Sequence, residues 1–217
     1  MTTAIFGGSF NPPHLGHRSV VDTVLRELSP DRMLIIPDYA APHKEMADVT
    51  PDPEDRLALC RLAFGDAEGA EVSDMEILRG GRSYTVGTLT ELKEIYPDDR
   101  FILVIGSDML LTFETVWYRF DDILKMCALA VVSREENDID ALQEHADWLM
   151  DNYVADIQIL LNHEPVVESS TDVREELAVG HRPAGLSDAV WNYIQLHGLY
   201  LSQRESSVSI DKQETIR

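Results

Sequence analysis

A chain of 217 residues, 44% apolar and 26% charged, has the size and composition of one folded α/β domain, or of one domain with a small appendage, and not those of a disordered polymer. Its 18 lysines and arginines face 39 aspartates and glutamates, a formal net charge of −21. Such a surface repels nucleic-acid backbones and anionic membranes, so neither is an expected partner, and a site for an anion has to be locally positive against an acidic background.

In chain order, Ala4-Ile5-Phe6 is a short apolar run of the kind that forms a strand buried on both faces, and a helical pattern follows near 17–28. Met33 to Ile36 predicts a second strand. Asp52-Pro53-Glu54-Asp55 then opens a helix near 53–65, a cap-like aspartate standing ahead of a first-turn proline. A helical pattern near 84–96 leads to the strand Phe101 to Ile105, and Ala128 to Val132 gives the next strand. A helix near 139–150 and a strand over Ile157 to Leu161 follow; the last long helix, near 186–197, opens at Ser187-Asp188 and stops at His197-Gly198. The stretch 202–217 is polar without periodicity and is expected to be a flexible tail on a single domain of residues 1–201. Repeated strand-then-helix order implies right-handed crossovers, hence an α/β, doubly wound, mostly parallel, Rossmann-like sheet with helices on both faces. Cys60 and Cys127 lie inside apolar stretches and read as reduced core residues. With no basic leader in the first residues and no apolar run of transmembrane length, the expected location is the cytoplasm.

Ligands of such sheets bind where strands end, and the first strand ends in the strongest signal. Gly7-Gly8-Ser9-Phe10-Asn11-Pro12-Pro13-His14-Leu15-Gly16-His17 runs directly into a helix. The paired glycines let the backbone approach a bulky ligand, and Gly16 does the same where first-turn N–H groups and the helix dipole favour phosphate. His14 and His17 are three apart, so one helical turn places both imidazoles on one face. A single histidine at a helix start is ordinarily a surface or capping residue; two convergent donors here suit an oxyanion or a phosphoryl group in transfer. Neither G-x-G-x-x-G nor G-K-[ST] is present, so a nucleotide would be held by other mechanics. Ser170-Thr171 followed by Arg174 reads as a helix start carrying hydroxyls, first-turn N–H groups and a guanidinium one turn on, and from the segment alone a plain cap fits as well as a phosphate grip. Asp108 closes a buried strand beside Gly106, where an acid accepts bonds from ribose hydroxyls or caps the turn that follows. Trp117 lies near Phe113 and Phe120, a spacing that favours core over ligand platform. His145, His163, His181 and His197 have no metal-ligand spacing and read as structural or surface residues; the acidic run from Glu135 to Asp140 reads as a solvated loop and helix start.

Together these segments resemble the nucleotidyltransferase α/β phosphodiesterase superfamily, and within it the bacterial nicotinate mononucleotide adenylyltransferases, over nearly all of residues 1–200. Gly7 to Pro12 with His14-Leu15-Gly16-His17 is similar to the signature of that superfamily. Pro42-His43-Lys44 resembles the family's Pro-Pro-His-Lys loop, with Ala41 in place of the first proline. Gly80-Gly81-Arg82-Ser83-Tyr84-Thr85 is similar to its Gly-Gly-x-Ser-Tyr-Thr segment, Gly106-Ser107-Asp108 to its Gly-x-Asp, and Trp117-Tyr118-Arg119-Phe120 to its tryptophan stretch. Ser169-Ser170-Thr171-Asp172-Val173-Arg174 resembles its second phosphate motif, Ser-Ser-Thr-x-Ile-Arg, with Val173 for isoleucine.

The resemblance implies attack by the 5′-phosphate of nicotinate mononucleotide on the α-phosphorus of ATP, giving deamido-NAD and pyrophosphate. It implies ATP contacts from Gly8, Ser9, Phe10, His14, His17, Gly106, Asp108, Ser170, Thr171 and Arg174. Of these His14, His17 and Arg174 would be catalytic, His17 the more critical histidine. For nicotinate mononucleotide it implies Lys44 on the phosphate, Trp117 stacked on the pyridine ring, and backbone N–H groups at Tyr84 and Thr85 on the ring carboxylate. Mg²⁺ is the implied cofactor, entering with ATP. The attacking phosphate is already anionic near neutral pH, its second pKa being about 6, so no protein nucleophile is needed. Positioning and charge stabilisation then carry the rate. The near alternative is preference for nicotinamide mononucleotide or use of both mononucleotides. The alternative from another class is a non-catalytic nucleotide-binding module that regulates a partner, against which the intact set His14, His17, Lys44 and Arg174 argues.

Overall fold

A computed structural model of the chain describes residues 1–42, 47, 49–133, 139–161 and 169–201. Lys44, His163, most of the acidic run from Glu135 and the stretch 202–217 lie outside the described residues. The elements in order are β1 (Thr2–Gly8), α1 (Leu15–Leu28), β2 (Arg32–Pro37), α2 (Pro53–Phe64), β3 (Ala70–Val72), α3 (Met75–Arg79), α4 (Thr85–Ile95) and β4 (Arg100–Gly106). Then come α5 (Ser107–Leu110), α6 (Phe113–Val116), α7 (Phe120–Met126), β5 (Ala128–Ser133), α8 (Ile139–Asn152), β6 (Ile157–Leu161), α9 (Ser170–Ala178) and α10 (Asp188–His197).

The six strands form one sheet in the order β3-β2-β1-β4-β5-β6, and every neighbouring pair is parallel. The chain winds from β1 outward to β3, then returns to place β4 on the other side of β1. The carboxyl ends of β1 and β4 therefore flank the switch point, the place where ligands of such sheets bind. All five strands expected from apolar runs are present. The sixth, β3, is three residues long and half exposed at the sheet edge, so its Ala-Glu-Val carries no continuous apolar signal. At the opposite edge β6 alternates too, with Gln158 exposed and Ile157 and Ile159 only half-buried.

Residue parity along the strands assigns the two faces. Ile5, Leu34, Leu103 and Val131 face α4, α7 and α8, which contribute Leu89, Ile123 and Leu142. Ala4, Ile35, Val104 and Ala130 face α1 and α2, through Val21, Val24 and Phe64. A third, smaller core joins Leu59 on the outer side of α2 to Val173 and Leu177 of α9, Val190 and Ile194 of α10, and Tyr200. This outer layer carries the start of α9 to the loop after β1. The stop of α10 is as expected: the Ser187 hydroxyl accepts the Val190 N–H at 3.4 Å and Gly198 takes the left-handed conformation at φ 61°. Asp52 stands at the N-cap of α2 without a side-chain cap; its carbonyl instead accepts the Arg56 N–H at 3.1 Å. Cys60 and Cys127 are buried free thiols, and burial raises both, Cys127 to about 12, which leaves no thiolate nucleophile near neutral pH. Among the described residues no helix is long and apolar enough to cross a membrane.

Candidate active site

The loop from β1 to α1 is held by its own side chains before any ligand enters. Phe10 sits at φ 44°, a strained backbone for a non-glycine residue, and its ring is buried against Phe6, Phe64 and the edge of His17. Phe10 thus serves the core with its side chain, and only its backbone can serve a nucleotide. The Ser9 hydroxyl donates to Asp38 at 2.6 Å and the Ser9 carbonyl accepts from Arg56 at 2.8 Å, so of this residue too the ligand-facing group is the backbone N–H. Gly8 ends β1, and a Cβ there would meet nothing closer than the Phe10 ring at 3.5 Å, an ordinary contact.

His14 is the N-cap of α1 rather than part of the helix. Its Nδ1 accepts the Gly16 N–H at 3.1 Å, while the His17 Nδ1 accepts the His14 N–H at 3.2 Å. The two rings lie 3.9 Å apart, centroid to centroid. With each Nδ1 acting as acceptor, the proton of each neutral imidazole sits on Nε2. The same cap corrects the expectation that first-turn amides of α1 offer themselves to phosphate. Leu15 N–H donates to the Gly185 carbonyl at 2.8 Å, Gly16 N–H to His14 and His17 N–H to the His14 carbonyl at 2.9 Å. At this helix the first-turn amides are already paired within the protein.

α9 brings a second helix start to the loop after β1. Ser169 is its N-cap, locked to Asp172 in both directions: Ser169 N–H and hydroxyl donate to the carboxylate at 2.9 and 2.7 Å, and Asp172 N–H returns to the hydroxyl at 3.2 Å. Ser170 and Thr171 precede the first helical bond, from Val173 N–H to the Ser169 carbonyl. The Ser170 hydroxyl donates to the Pro12 carbonyl at 3.1 Å; Arg174 donates to the Asn11 carbonyl at 2.7 Å and to the Thr171 hydroxyl at 3.1 Å. These bonds join the two motifs, 158 residues apart at Ser170 and Pro12, into one wall. They also show the Arg174 fork gripping the loop rather than standing out as a bare cation.

On the other side of the switch point Gly106 ends β4, and Asp108, expected at the strand end, stands instead in the first turn of α5. A Cβ on Gly106 would lie 2.7 Å from the Asp108 carboxylate, so the glycine makes room for that exposed acid. Gly80 and Gly81, at φ 69° and 74°, turn the chain into Ser83-Tyr84-Thr85, where α4 begins. The Tyr84 N–H donates to the Arg82 carbonyl at 3.1 Å, and Thr85 and Val86, the first two residues of α4, precede the first helical bonds, which Gly87 and Thr88 make to the Tyr84 carbonyl. Trp117 is half-buried; one face stacks on Phe113 at 5.0 Å, and its Nε1 is buried without a hydrogen-bond partner. Tyr118 joins this segment to α4 through the Tyr84 ring, 5.0 Å away. The site residues thus gather in two groups, one built on β1, α1 and α9, the other on β4, α4 and the Trp117 segment. Two residues absent from the sequence reading hold the first group: Asp38 and Arg56, an ion pair at 3.1 Å with Arg56 1% exposed. Nothing in the pattern of α2 distinguishes Arg56 from a solvated arginine.

The cytidylyltransferase-like family matches residues 5–176 of the chain. A probable nicotinate-nucleotide adenylyltransferase of Gemmatimonas aurantiaca is 34% identical over 220 residues, covering 99% of each chain. One of Fusobacterium nucleatum is 35% identical over 82% of this chain and 88% of its own. The chain belongs to the nicotinate-nucleotide adenylyltransferase family. The fold agrees. A putative nicotinate-nucleotide adenylyltransferase from Vibrio parahaemolyticus superimposes with a TM-score of 0.64 at 23% identity, over 92% of this chain and 96% of that one. The Plasmodium falciparum nicotinic acid mononucleotide adenylyltransferase complexed with NaAD gives 0.73 at 15% identity, over 92% and 97%. Family membership rests on the sequence relatives; these two structures bear on the fold.

Proposed function

We propose that the protein transfers the adenylyl group of ATP to nicotinate mononucleotide, the mononucleotide phosphate attacking the α-phosphorus directly and pyrophosphate leaving. The observation that carries this reading is the His14–His17 pair: two imidazoles 3.9 Å apart, both with Nδ1 engaged by backbone N–H groups, beside a second helix start tied to the same loop. Nε2 donors placed there stabilise charge as it develops on the transferring phosphoryl and its leaving group, without moving at the moment of reaction. Arg174 with the amides of Ser170 and Thr171 takes the distal phosphates, its fork passing from the Asn11 carbonyl and Thr171 hydroxyl to phosphate oxygen. Asp108 accepts from the adenosine ribose above Gly106, and the backbone of Gly8, Ser9 and Phe10 lies against the nucleotide. Trp117 stacks on the pyridine ring with the face that Phe113 does not cover, while the Thr85 amide, with that of Tyr84 if its turn opens, holds the carboxylate. Lys44 adds a point charge on the mononucleotide phosphate.

Mg²⁺ fits as a companion of the triphosphate. Among the described residues no three His, Cys, Asp or Glu side chains are grouped to hold a metal, and Asp108 is a single exposed acid. An ion bound through phosphate oxygens neutralises their charge and needs no protein cage. The cytoplasm is the compartment in which we place the reaction.

The test is pyrophosphate release with ATP and Mg²⁺, comparing nicotinate mononucleotide with nicotinamide mononucleotide. Release that is fast with the acid and slow with the amide is expected, since an amide leaves a backbone donor unpaired, and sites built on such bonds discriminate by up to about 10⁴–10⁵. Equal rates would make the enzyme dual-specific. Silence with both, in folded protein that still binds ATP, would replace the transferase by a nucleotide-binding module.

A further inference from the structure

The two groups of site residues are joined by buried polar side chains for which the reaction has no chemical use. Arg56, on the first turn of α2, is 1% exposed, and a guanidinium so buried depends on the partners its nitrogens find. Its two terminal nitrogens reach the Ser9 carbonyl at 2.8 Å, the Asp38 carboxylate at 3.1 Å and the Tyr39 carbonyl at 2.9 Å, while Nε is buried with no hydrogen-bond partner among the described residues. Asp38 in turn accepts the Ser9 hydroxyl at 2.6 Å, so Ser9 is gripped by backbone and side chain at once. The connection then continues through the chain after β2. Tyr39 N–H donates to the Ser83 hydroxyl oxygen at 3.1 Å, the Ala40 carbonyl accepts the Ser83 N–H at 3.0 Å, and Ala40 pairs with Arg82 in an isolated parallel bridge. Ser83 immediately precedes Tyr84 and Thr85. Close by lies Glu76, a carboxylate 7% exposed that receives the Thr88 hydroxyl from the first turns of α4 and faces Arg79 at 3.5 Å.

We propose that Ser9, Asp38, Arg56, Tyr39 and Ser83 form one relay that sets the distance between the ATP loop and the mononucleotide loop. On this reading Arg56 and Ser83 are positioning residues for the attack. The inference rests on the adenylyl-transfer function proposed above, and follows from its chemistry. Where no protein nucleophile takes part, the rate depends on how the two phosphates are placed, and a displacement of about 1 Å can cost 10²-fold. Apolar packing would hold each loop to the core, but it would not tie either loop to the other. Hydrogen bonds directional at every joint do so, because a shift of Tyr39 moves the partners on both sides.

The critical variant is Ser83→Ala, which removes one hydroxyl from the mononucleotide side and touches nothing in the ATP loop. It is expected to raise KM for ATP, and Kd for ATP measured without the mononucleotide, by about 2- to 30-fold, and to lower kcat. Arg56→Lys keeps the charge but cannot span three partners, and is expected to do the same. The double variant is expected to lose no more than the worse single one, since both cut the same chain. Unchanged ATP binding in Ser83→Ala, or effects that simply add, would overturn the relay and leave two independent loops. If Arg56→Lys fails to fold, Ser83→Ala decides alone. Wild-type protein that binds ATP but releases no pyrophosphate would overturn the transferase reading; the ATP Kd of Ser83→Ala would still judge the relay separately.

Discussion

A neutral imidazole donates to an anion only from the nitrogen that carries its proton. In His14 and His17 that nitrogen is fixed by neighbouring amides, Gly16 for one ring and His14 itself for the other. The His17 ring is further held on edge by Phe10, 5.1 Å away. Replacing His17 by alanine removes one aimed donor and one capping acceptor. His17→Ala is expected to keep the fold, losing about 1 kcal/mol from the cap, and to keep most of its ATP affinity. Turnover is expected to fall by about 10²–10³; thermal melting, ATP titration and pyrophosphate release measured on one preparation separate these effects, and wild-type turnover would remove the imidazole from the mechanism. The sequence shows two histidines three apart after a double glycine, which is enough to locate an anion site. It does not show that His14 caps the helix and uses up the amides a phosphate was expected to take, because that depends on a backbone turn ahead of α1. Trp117 is legible in the same partial way: spacing predicts its contact with Phe113, and the ring's second face has no sequence signature.

Among the elements, long apolar strands and amphipathic helices are legible because burial on a full face repeats several times within each. β3, α3, α5 and α6 span three to five residues each, too few to complete a period, and what fixes them is the geometry of neighbours. α9 is intermediate: nine residues with a readable start, whose value lies in where α2 and α10 carry it. Its cap makes a testable pH dependence. The Ser169 N–H first, and its hydroxyl second, hold the exposed Asp172 carboxyl below the usual carboxylate range. A group whose pKa is lowered on folding stabilises above its unfolded value, about 3.9, and loses that contribution as pH falls through the folded value. Asp172→Asn is therefore expected to melt below wild type at pH 7, with the gap closing as the pH drops under about 4. Because α9 carries Ser170 and Arg174 to the loop after β1, turnover at neutral pH falls with it. A gap that stays constant from pH 7 to pH 3 would show that the carboxylate contributes nothing as a charge.

At the scale of the molecule, a net charge of −21 surrounds the site proposed for a triphosphate: Arg174 reaches the loop after β1 from α9, while the charge of Arg56 is buried against Asp38 and holds that loop in place. The third core is closed from the far end of the described chain by Tyr200, which is 2% exposed and adopts φ 63°. Burial raises its phenol, and the nearby charges of Arg56 and Arg174 oppose that rise. We infer that the functional domain ends with this residue and that residues 202–217 add nothing to catalysis. Ending the chain after Leu201 is expected to leave melting temperature and turnover unchanged. Ending it after Leu199 removes a buried aromatic side chain, a loss of about 3–5 kcal/mol, which in a chain of this size lowers the melting temperature on the order of 10 °C. Turnover should fall with it, since α9 loses part of the layer that positions Arg174. If removal of 202–217 alone abolished pyrophosphate release while the protein stayed folded, the tail would belong to the active assembly, and the boundary drawn at Tyr200 would be wrong.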